Sequence, residues 1–203
     1  MKLNNKHSSE FKIEVIEPII LPSEIADDTV LYVFKKDMYN YTALVKGDVI
    51  GKENVVLRLH SECLFGDVLG SKKCDCGEQL HAAKERLKKA ERGILLYLPH
   101  EGRGIGLRNK IEAYRLKEKG YDTAEANKQL GFAEDLREYN YTAKILKEFF
   151  KIKSAILLTN NPDKVNALRD TGITITVEPL KVVANKFNEM YLKTKKEKFG
   201  HKL

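Results

Sequence analysis

The sequence predicts an α/β fold, a single domain with a mixed β-sheet layered with helices. Strand-like and helix-like segments alternate through the second half, the order that α/β layering with parallel pairing produces. The first 60 residues read as strands without helices, so part of the sheet must be antiparallel. The chain is 203 residues long, enough to bury a real core in one domain, and it shows no internal repeat or low-complexity linker.

Taken in order, residues 11–20 begin by alternating apolar and polar positions, the period of a strand. Residues 29–34 and 41–45 are rich in aromatic and β-branched side chains and read as further strands. Residues 55–60 form another, running straight into a cysteine-containing stretch. Residues 78–91 are helical, with Leu80, Ala83, Leu87 and Ala90 on one apolar stripe and lysines opposite. Gly93 is expected to end that helix. Residues 94–98 are a short apolar strand stopped by Pro99. A glycine-rich loop, 100–106, then opens a helix to about residue 119, closed by Gly120. Residues 123–130 read as a short helix capped by Thr123 or Asp122, and 131–139 as a polar loop. An amphipathic helix is expected over 142–151, a strand over 155–158, and a helix over 162–170 with proline at its start. Gly172 terminates that helix, and 173–177 return as a strand.

Apolar residues make up 42% and charged residues 32%, ordinary for a globular protein. No run approaches the length of a membrane span. The polar first ten residues lack the apolar core of a signal peptide, and the odd cysteine count fits a reducing cytoplasm. The net charge of +7 is concentrated at the end: residues 181–203 hold seven lysines and two glutamates. That basic tail reads as a solvated helix that can help attract an anionic substrate, and nucleic acid is not the expected partner.

All three cysteines, Cys63, Cys74 and Cys76, fall within residues 58–80. They offer three soft ligands and no fourth. Structural zinc sites close with four protein ligands, whereas catalytic zinc keeps three and leaves a position for water. The alternative is buried thiols or a disulfide, and a disulfide across one intervening residue is geometrically awkward. The spacing therefore points to a metal that activates water. Arg58, His60 and Glu62 alternate at the end of a strand and point to one side. His60 is a conceivable fourth ligand, though it would close the open position. The glycines of 102–106 suit a phosphate cradle at a helix start, and equally a plain connector.

Several motifs together resemble GTP cyclohydrolase II. They are Arg58, His60 to Cys63, Gly66 and Asp67; Cys74, Cys76, Gly77, Gln79 and Leu80; Glu101 to Arg103, Ile105, Gly106, Leu107 and Asn109 to Ile111; Tyr121 to Thr123, Glu125 to Asn127 and Leu130 to Phe132; Leu157 to Pro162 and Lys164; and the final Lys195 to His201. The match runs from about residue 46 to the C-terminus. Pro99 and His100 depart from the family's usual Arg-Gln, and the N-terminal strands over about 1–45 diverge.

The resemblance implies one catalytic domain over 1–203, carrying a divergent N-terminal part and the basic tail. It implies hydrolysis of GTP to formate, diphosphate and 2,5-diamino-6-(5-phosphoribosylamino)pyrimidin-4(3H)-one, the first step of riboflavin synthesis, in a homodimer. By the same resemblance Cys63, Cys74 and Cys76 hold Zn²⁺. Arg58, Leu59, His60, Ser61, Glu62, Gln79, Glu101, Gly102, Arg103, Thr123, Thr159 and Lys164 contact GTP, with Mg²⁺ on its phosphates. Tyr114 is a proton donor or water-positioner, and Asp135 a proton acceptor. Arg137 is either a nucleophile toward the α-phosphate or a bidentate clamp on it. Zinc lowers the pKa of bound water to about 7, and attack on purine C8 parallels the three-cysteine zinc deaminases. Two other functions compete: a related enzyme that stops at the formamidopyrimidine, and a non-catalytic zinc-stabilised nucleotide- or RNA-binding protein.

Overall fold

Three antiparallel strands open the fold: β1 (Glu14–Ile20), β2 (Val30–Lys36) and β3 (Tyr39–Lys46). The structure is a computed structural model that describes residues 12–201 apart from Val182. The expectations placed on the first eleven residues, Lys202 and Leu203 lie outside it. The chain continues with β4 (Val55–Ser61), a one-turn helix α1 (Leu64–Asp67), α2 (Cys76–Lys88), β5 (Gly93–Leu98), α3 (Gly106–Glu118) and α4 (Thr123–Gln129). It ends with α5 (Asn140–Lys144), β6 (Ser154–Leu158), α6 (Pro162–Arg169), β7 (Thr174–Glu178) and α7 (Glu189–Phe199). Among the described residues no helix is long and apolar enough to cross a membrane.

The strands form one mixed sheet in the order β1-β2-β3-β5-β4-β6-β7. Pairing is antiparallel from β1 to β5 and parallel among β5, β4, β6 and β7. β4 lies between β5 and β6 and is buried on both faces, which explains its nearly unbroken apolar sequence. Val55, Leu57 and Leu59 face the larger core, with Phe34, Phe150 and Leu157. Val56 faces the smaller core beneath α2, with Leu80, Ala83 and Leu87. From β4 the chain crosses through α2 to β5 on one side, while β6 joins on the other. The carboxyl ends of these strands therefore flank a crevice at a topological switch point, where open α/β sheets bind ligands.

Three expectations need correction. Gly93 does not cap a helix; α2 ends at Lys88 and Gly93 is the first residue of β5. Glycine is required there for space, because a Cβ would stand 2.3 Å from Leu87 Cδ2 and 2.8 Å from the Val56 carbonyl oxygen. The helix expected over 142–151 starts earlier and changes winding. α5 passes into a π-turn at Ile145–Phe149, with the Phe150 amide bonded to the Ile145 carbonyl at 3.1 Å. The wider turn seats consecutive rings, Phe149 and Phe150, against Phe34 at 5.0 and 5.8 Å. Finally, the basic tail is helical and mostly exposed but not wholly solvated: α7 buries Thr194 and Lys195, and Lys198 pairs with Asp122 and Glu125 at the start of α4.

Gly93→Ala is expected to destabilise the fold by about 1–3 kcal/mol, the cost of overpacking a closed site. Urea denaturation measures it; an unchanged midpoint contradicts the close packing of α2 on β5.

Candidate active site

The site begins with two polar side chains in a strand that is otherwise apolar. Arg58 and His60 lie on the α2 face of β4, two residues apart, with the Arg58 Nη2 to His60 Nδ1 distance 3.3 Å. Arg58 also donates to the Leu158 carbonyl at 2.9 Å and to Gln79 Oε1 at 2.8 Å. Gln79 Nε2 in turn donates to Asp75 Oδ2 at 2.5 Å. His60 Nε2 lies 3.0 Å from both carboxylate oxygens of Asp67. Arginine can only donate, so His60 Nδ1 accepts and Nε2 carries the proton toward Asp67. Both ring nitrogens are taken, and the metal-ligand cluster among the described residues contains no histidine.

Asp67 also accepts from the Cys63 amide at 3.0 Å and from the Tyr97 hydroxyl at 2.8 Å. These bonds fix the turn that carries the first cysteine. The other two cysteines flank Asp75, the residue preceding α2. Gly66 and Gly77 let the two segments meet. A Cβ on Gly66 would lie 2.9 Å from Cys76 Cβ, and one on Gly77 would lie 2.3 Å from the Gly66 oxygen. The three sulfurs lie within 4.8 Å of one another, and those of Cys63 and Cys74 are 3.8 Å apart. Thiolates on a tetrahedral zinc at ~2.3 Å are separated by about 3.8 Å. The donor set thus fits a thiophilic, tetrahedral metal. Hydrogen bonds from Cys74 and Cys76, with the Lys110 ammonium nearby, push the Cys63 thiol far below its ordinary value.

The next wall is the turn Glu101–Gly104, where Gly102, Arg103 and Gly104 take φ values of 61°, 62° and 91°. A left-handed arginine is uncommon, and it turns the guanidinium inward. Arg103 stacks on Phe199, 3.7 Å from the ring centroid, and lies 3.6 Å from Asp135. Glu101 is held by the Leu64 amide at 2.7 Å, the Gly102 amide at 2.9 Å and Lys110 at 2.6 Å. Lys110 also reaches Cys63 Sγ at 3.2 Å. Asp135 accepts two bonds from Arg137 Nε, at 2.8 and 3.1 Å, and a third from its Nη2. Burial opposes the Asp135 charge, but Arg137 outweighs it and holds the carboxyl below its usual range.

The end of β6 supplies Thr159, Asn160 and Asn161, and α6 supplies Lys164, whose ammonium donates to the Leu59 carbonyl at 2.6 Å. The C-terminal segment closes the last side with Tyr191, Lys195 and His201. The result is one cavity at the carboxyl ends of β4, β5 and β6, walled by α2, α3, α6 and the C-terminal segment. Its polar lining is unevenly charged. Arg58, Arg103, Lys110, Lys117, Arg137, Lys164 and Lys195 face in, against the carboxylates of Glu62 and Glu101. Arg58 Nε, Arg103 Nη1, Thr123 Oγ1, Asn161 Nδ2 and both His201 ring nitrogens are buried without a hydrogen-bond partner. Unsatisfied buried groups are expensive, so their convergence on one cavity indicates a polar, anionic ligand.

A family model described as GTP cyclohydrolase II matches residues 15–179, from β1 through β7. The chain belongs to the GTP cyclohydrolase II family. It is 48% identical over 205 residues to the riboflavin biosynthesis protein RibBA of Endomicrobium trichonymphae, covering 99% of this chain and 50% of that one. It is 49% identical over 188 residues to the RibBA of Bacillus subtilis strain 168, covering 91% of this chain and 47% of that one. The chain thus spans about half the length of the curated relatives it matches. The match includes β1 to β3, the strands whose resemblance is weakest on inspection.

Of the residues that the resemblance to GTP cyclohydrolase II singles out, all but two line the cavity. Leu59 does not, since its side chain is fully buried in the larger core and only its carbonyl serves, by holding Lys164. Asp135 stands behind Arg137 and Arg103 rather than in the wall. Sequence reasoning missed Lys110, Lys117, Asn127, Asn160, Asn161, Tyr191, Lys195 and His201, and it left His100 without a role. Lys110, Asn127, Asn160, Asn161, Lys195 and His201 sit inside motifs that carry the family resemblance. Lys117 gives no such signal beyond falling on the helix that follows the glycine turn.

Burial pushes His60 down to about 4, and His100 and His201 to about 3, with nearby cations lowering them further. The fold keeps these rings neutral, whereas the unfolded chain protonates them below about 6.5. Stability is therefore expected to fall as pH drops from 6.5 toward 4, by up to about 1.4 kcal/mol per pH unit for each ring. Urea midpoints between pH 7 and 4.5 measure it, and a flat profile from 7 to 5 contradicts the neutral buried rings.

Proposed function

We propose that the protein hydrolyses GTP to formate, diphosphate and 2,5-diamino-6-(5-phosphoribosylamino)pyrimidin-4(3H)-one, using a zinc ion held by Cys63, Cys74 and Cys76. One observation carries the proposal: a three-cysteine cluster and a set of inward-facing cations share one cavity. Zinc, when bound, supplies a Lewis acid that brings the pKa of water to about 7. The overall change consumes three waters, two in releasing C8 as formate and one in releasing diphosphate.

The chain's own residues divide between the two ends of the substrate. Glu62, beside Cys63, has its carboxyl pushed up by burial and then by Glu101 and Asp67. That suits it to exchange protons near the guanine C8. Glu101 has both oxygens occupied and serves as a fixed positioner of Lys110 and of the cysteine turn. Burial and then the neighbouring thiolates push the Tyr114 hydroxyl up, so it keeps its proton and can donate it.

At the phosphate end, burial works against the Arg137 charge, but Tyr139 and the bonded Asp135 prevail and push its pKa up. A permanently protonated guanidinium favours the clamp over the nucleophile. Thr123, Thr159, Asn161 and Lys164 complete the phosphate side, with Mg²⁺ accompanying the phosphates. Three free cysteines fit a reducing compartment such as the cytoplasm. A homodimer is part of the same proposal, and sedimentation equilibrium tests it.

Incubated with GTP and Mg²⁺, the protein is expected to release formate and diphosphate in equal amounts, and neither after zinc chelation. Formate without diphosphate, or neither product before chelation, sinks the proposal. Tyr114→Phe is expected to accumulate the ring-opened formamide, seen by mass spectrometry. Arg137→Lys keeps the charge but loses the fork, and its turnover is expected to fall by about 100-fold or more. Near-normal turnover in Arg137→Lys would remove the bidentate clamp.

A further inference from the structure

We propose that the C-terminal segment is a working part of the nucleotide site, in which His201 and Lys195 bind a phosphate group of the substrate. This rests on the nucleotide reading of the cavity and extends it to residues beyond α6.

The segment is built to deliver these two side chains. Gly200 takes φ 61° and ends α7, and the His201 amide bonds back to the Lys195 carbonyl at 3.1 Å. That turn brings His201 into the cavity lining. Phe199, just before it, packs under the Arg103 guanidinium. Lys195 bonds Asp75 at 2.5 Å, at the start of α2. The ammonium has three donors and Asp75 uses one. Tyr191, one turn earlier on α7, also lines the cavity.

His201 is the decisive residue. It is 8% exposed, it lines the cavity, and neither ring nitrogen has a hydrogen-bond partner. Leaving such a buried ring unpaired is costly. The charged groups acting on it are mostly cations, Lys195, Arg137 and Arg103, with Asp75 the opposing carboxylate. A guanine edge would call for a carboxylate partner, whereas this setting calls for an anion. A metal is no better an occupant, since the ligand cluster among the described residues is three thiols without histidine. A phosphate oxygen accepts the ring N–H and is matched by the surrounding cations. Because Lys195 also holds Asp75, phosphate binding and docking of the tail reinforce one another.

Calorimetry with two probes tests the assignment: inorganic tripolyphosphate for the phosphate side and guanosine for the base side. His201→Phe keeps the ring volume without a donor, His201→Ala removes both, and His201→Gln keeps an N–H. The Phe and Ala variants are expected to bind tripolyphosphate about 10- to 150-fold more weakly, the range for a hydrogen bond to a charged group. Gln is expected to recover most of the loss, and guanosine affinity is expected to stay within about twofold throughout. Thermal melts check that each variant folds, and two donor-deleting variants of different shape guard against one that does not. The assignment is overturned if unmodified protein does not bind tripolyphosphate, if both donor-deleting variants bind it normally, or if guanosine binding falls in proportion. Guanosine binding no tighter than adenosine, with the tripolyphosphate series as expected, overturns the guanine reading alone and leaves His201 as a polyphosphate ligand.

Discussion

The site depends on keeping one charge inside the sheet. Arg58 is 3% exposed in the central strand, and burial lowers its pKa only to about 10, so it stays a cation at neutral pH. A buried charge is tolerable only when it is held by hydrogen bonds. The groups that hold the terminal nitrogens of Arg58 come from three places: the Leu158 carbonyl at the end of β6, Gln79 on α2, and His60 one pleat along β4, while Nε has no partner. Meeting that requirement aligns the strand ends that flank the crevice. The bonds then run on in both directions, through His60 and Asp67 to the Cys63 turn, and through Gln79 and Asp75 to Lys195 on α7. A single buried network thus ties the thiolate cluster, the strand switch point and the chain end together.

The same network keeps two charge environments apart. Near the three cysteines the cation is Lys110, shared between Cys63 and Glu101. Elsewhere in the lining Arg103 and Arg137 share one carboxylate, Asp135, and Lys164 donates to a backbone carbonyl and lies over the Tyr139 ring. Cationic excess therefore lies around Arg103, Arg137 and Lys164, the side that the proposed function gives to the phosphates. The division follows from which carboxylates are committed to protein partners and which are not.

Much of this was legible from residue order. Cys63, Cys74 and Cys76 declare themselves because thiolate ligation depends on residue type and spacing, which a sequence displays directly. The β4 strand is equally plain, since burial on both faces demands an apolar run, and Arg58 and His60 stand out against it. The cap of α4 was narrowed by neighbouring residues to Thr123 or Asp122, and the fold gives it to Asp122, with Glu125 completing a capping box. Gly93 misleads because glycine relieves both conformational and steric constraints. Only the approach of Leu87 and Val56, brought close by the crossover, shows that space was the constraint.

By itself the sequence determined the mixed α/β class, the thiolate cluster, the apolar central strand and the family motifs, all of which rest on local spacing or composition. Tertiary structure decided what depends on contacts distant along the chain. It assigned His60 to Asp67 rather than to a metal, turned Leu59 into the core, and set Asp135 behind Arg137. It also brought a lysine-rich tail, whose composition suits water, back to bury Lys195 against Asp75, 120 residues earlier. A lysine is exposed by habit and buried only with a partner, and which partner it finds is a property of the folded chain.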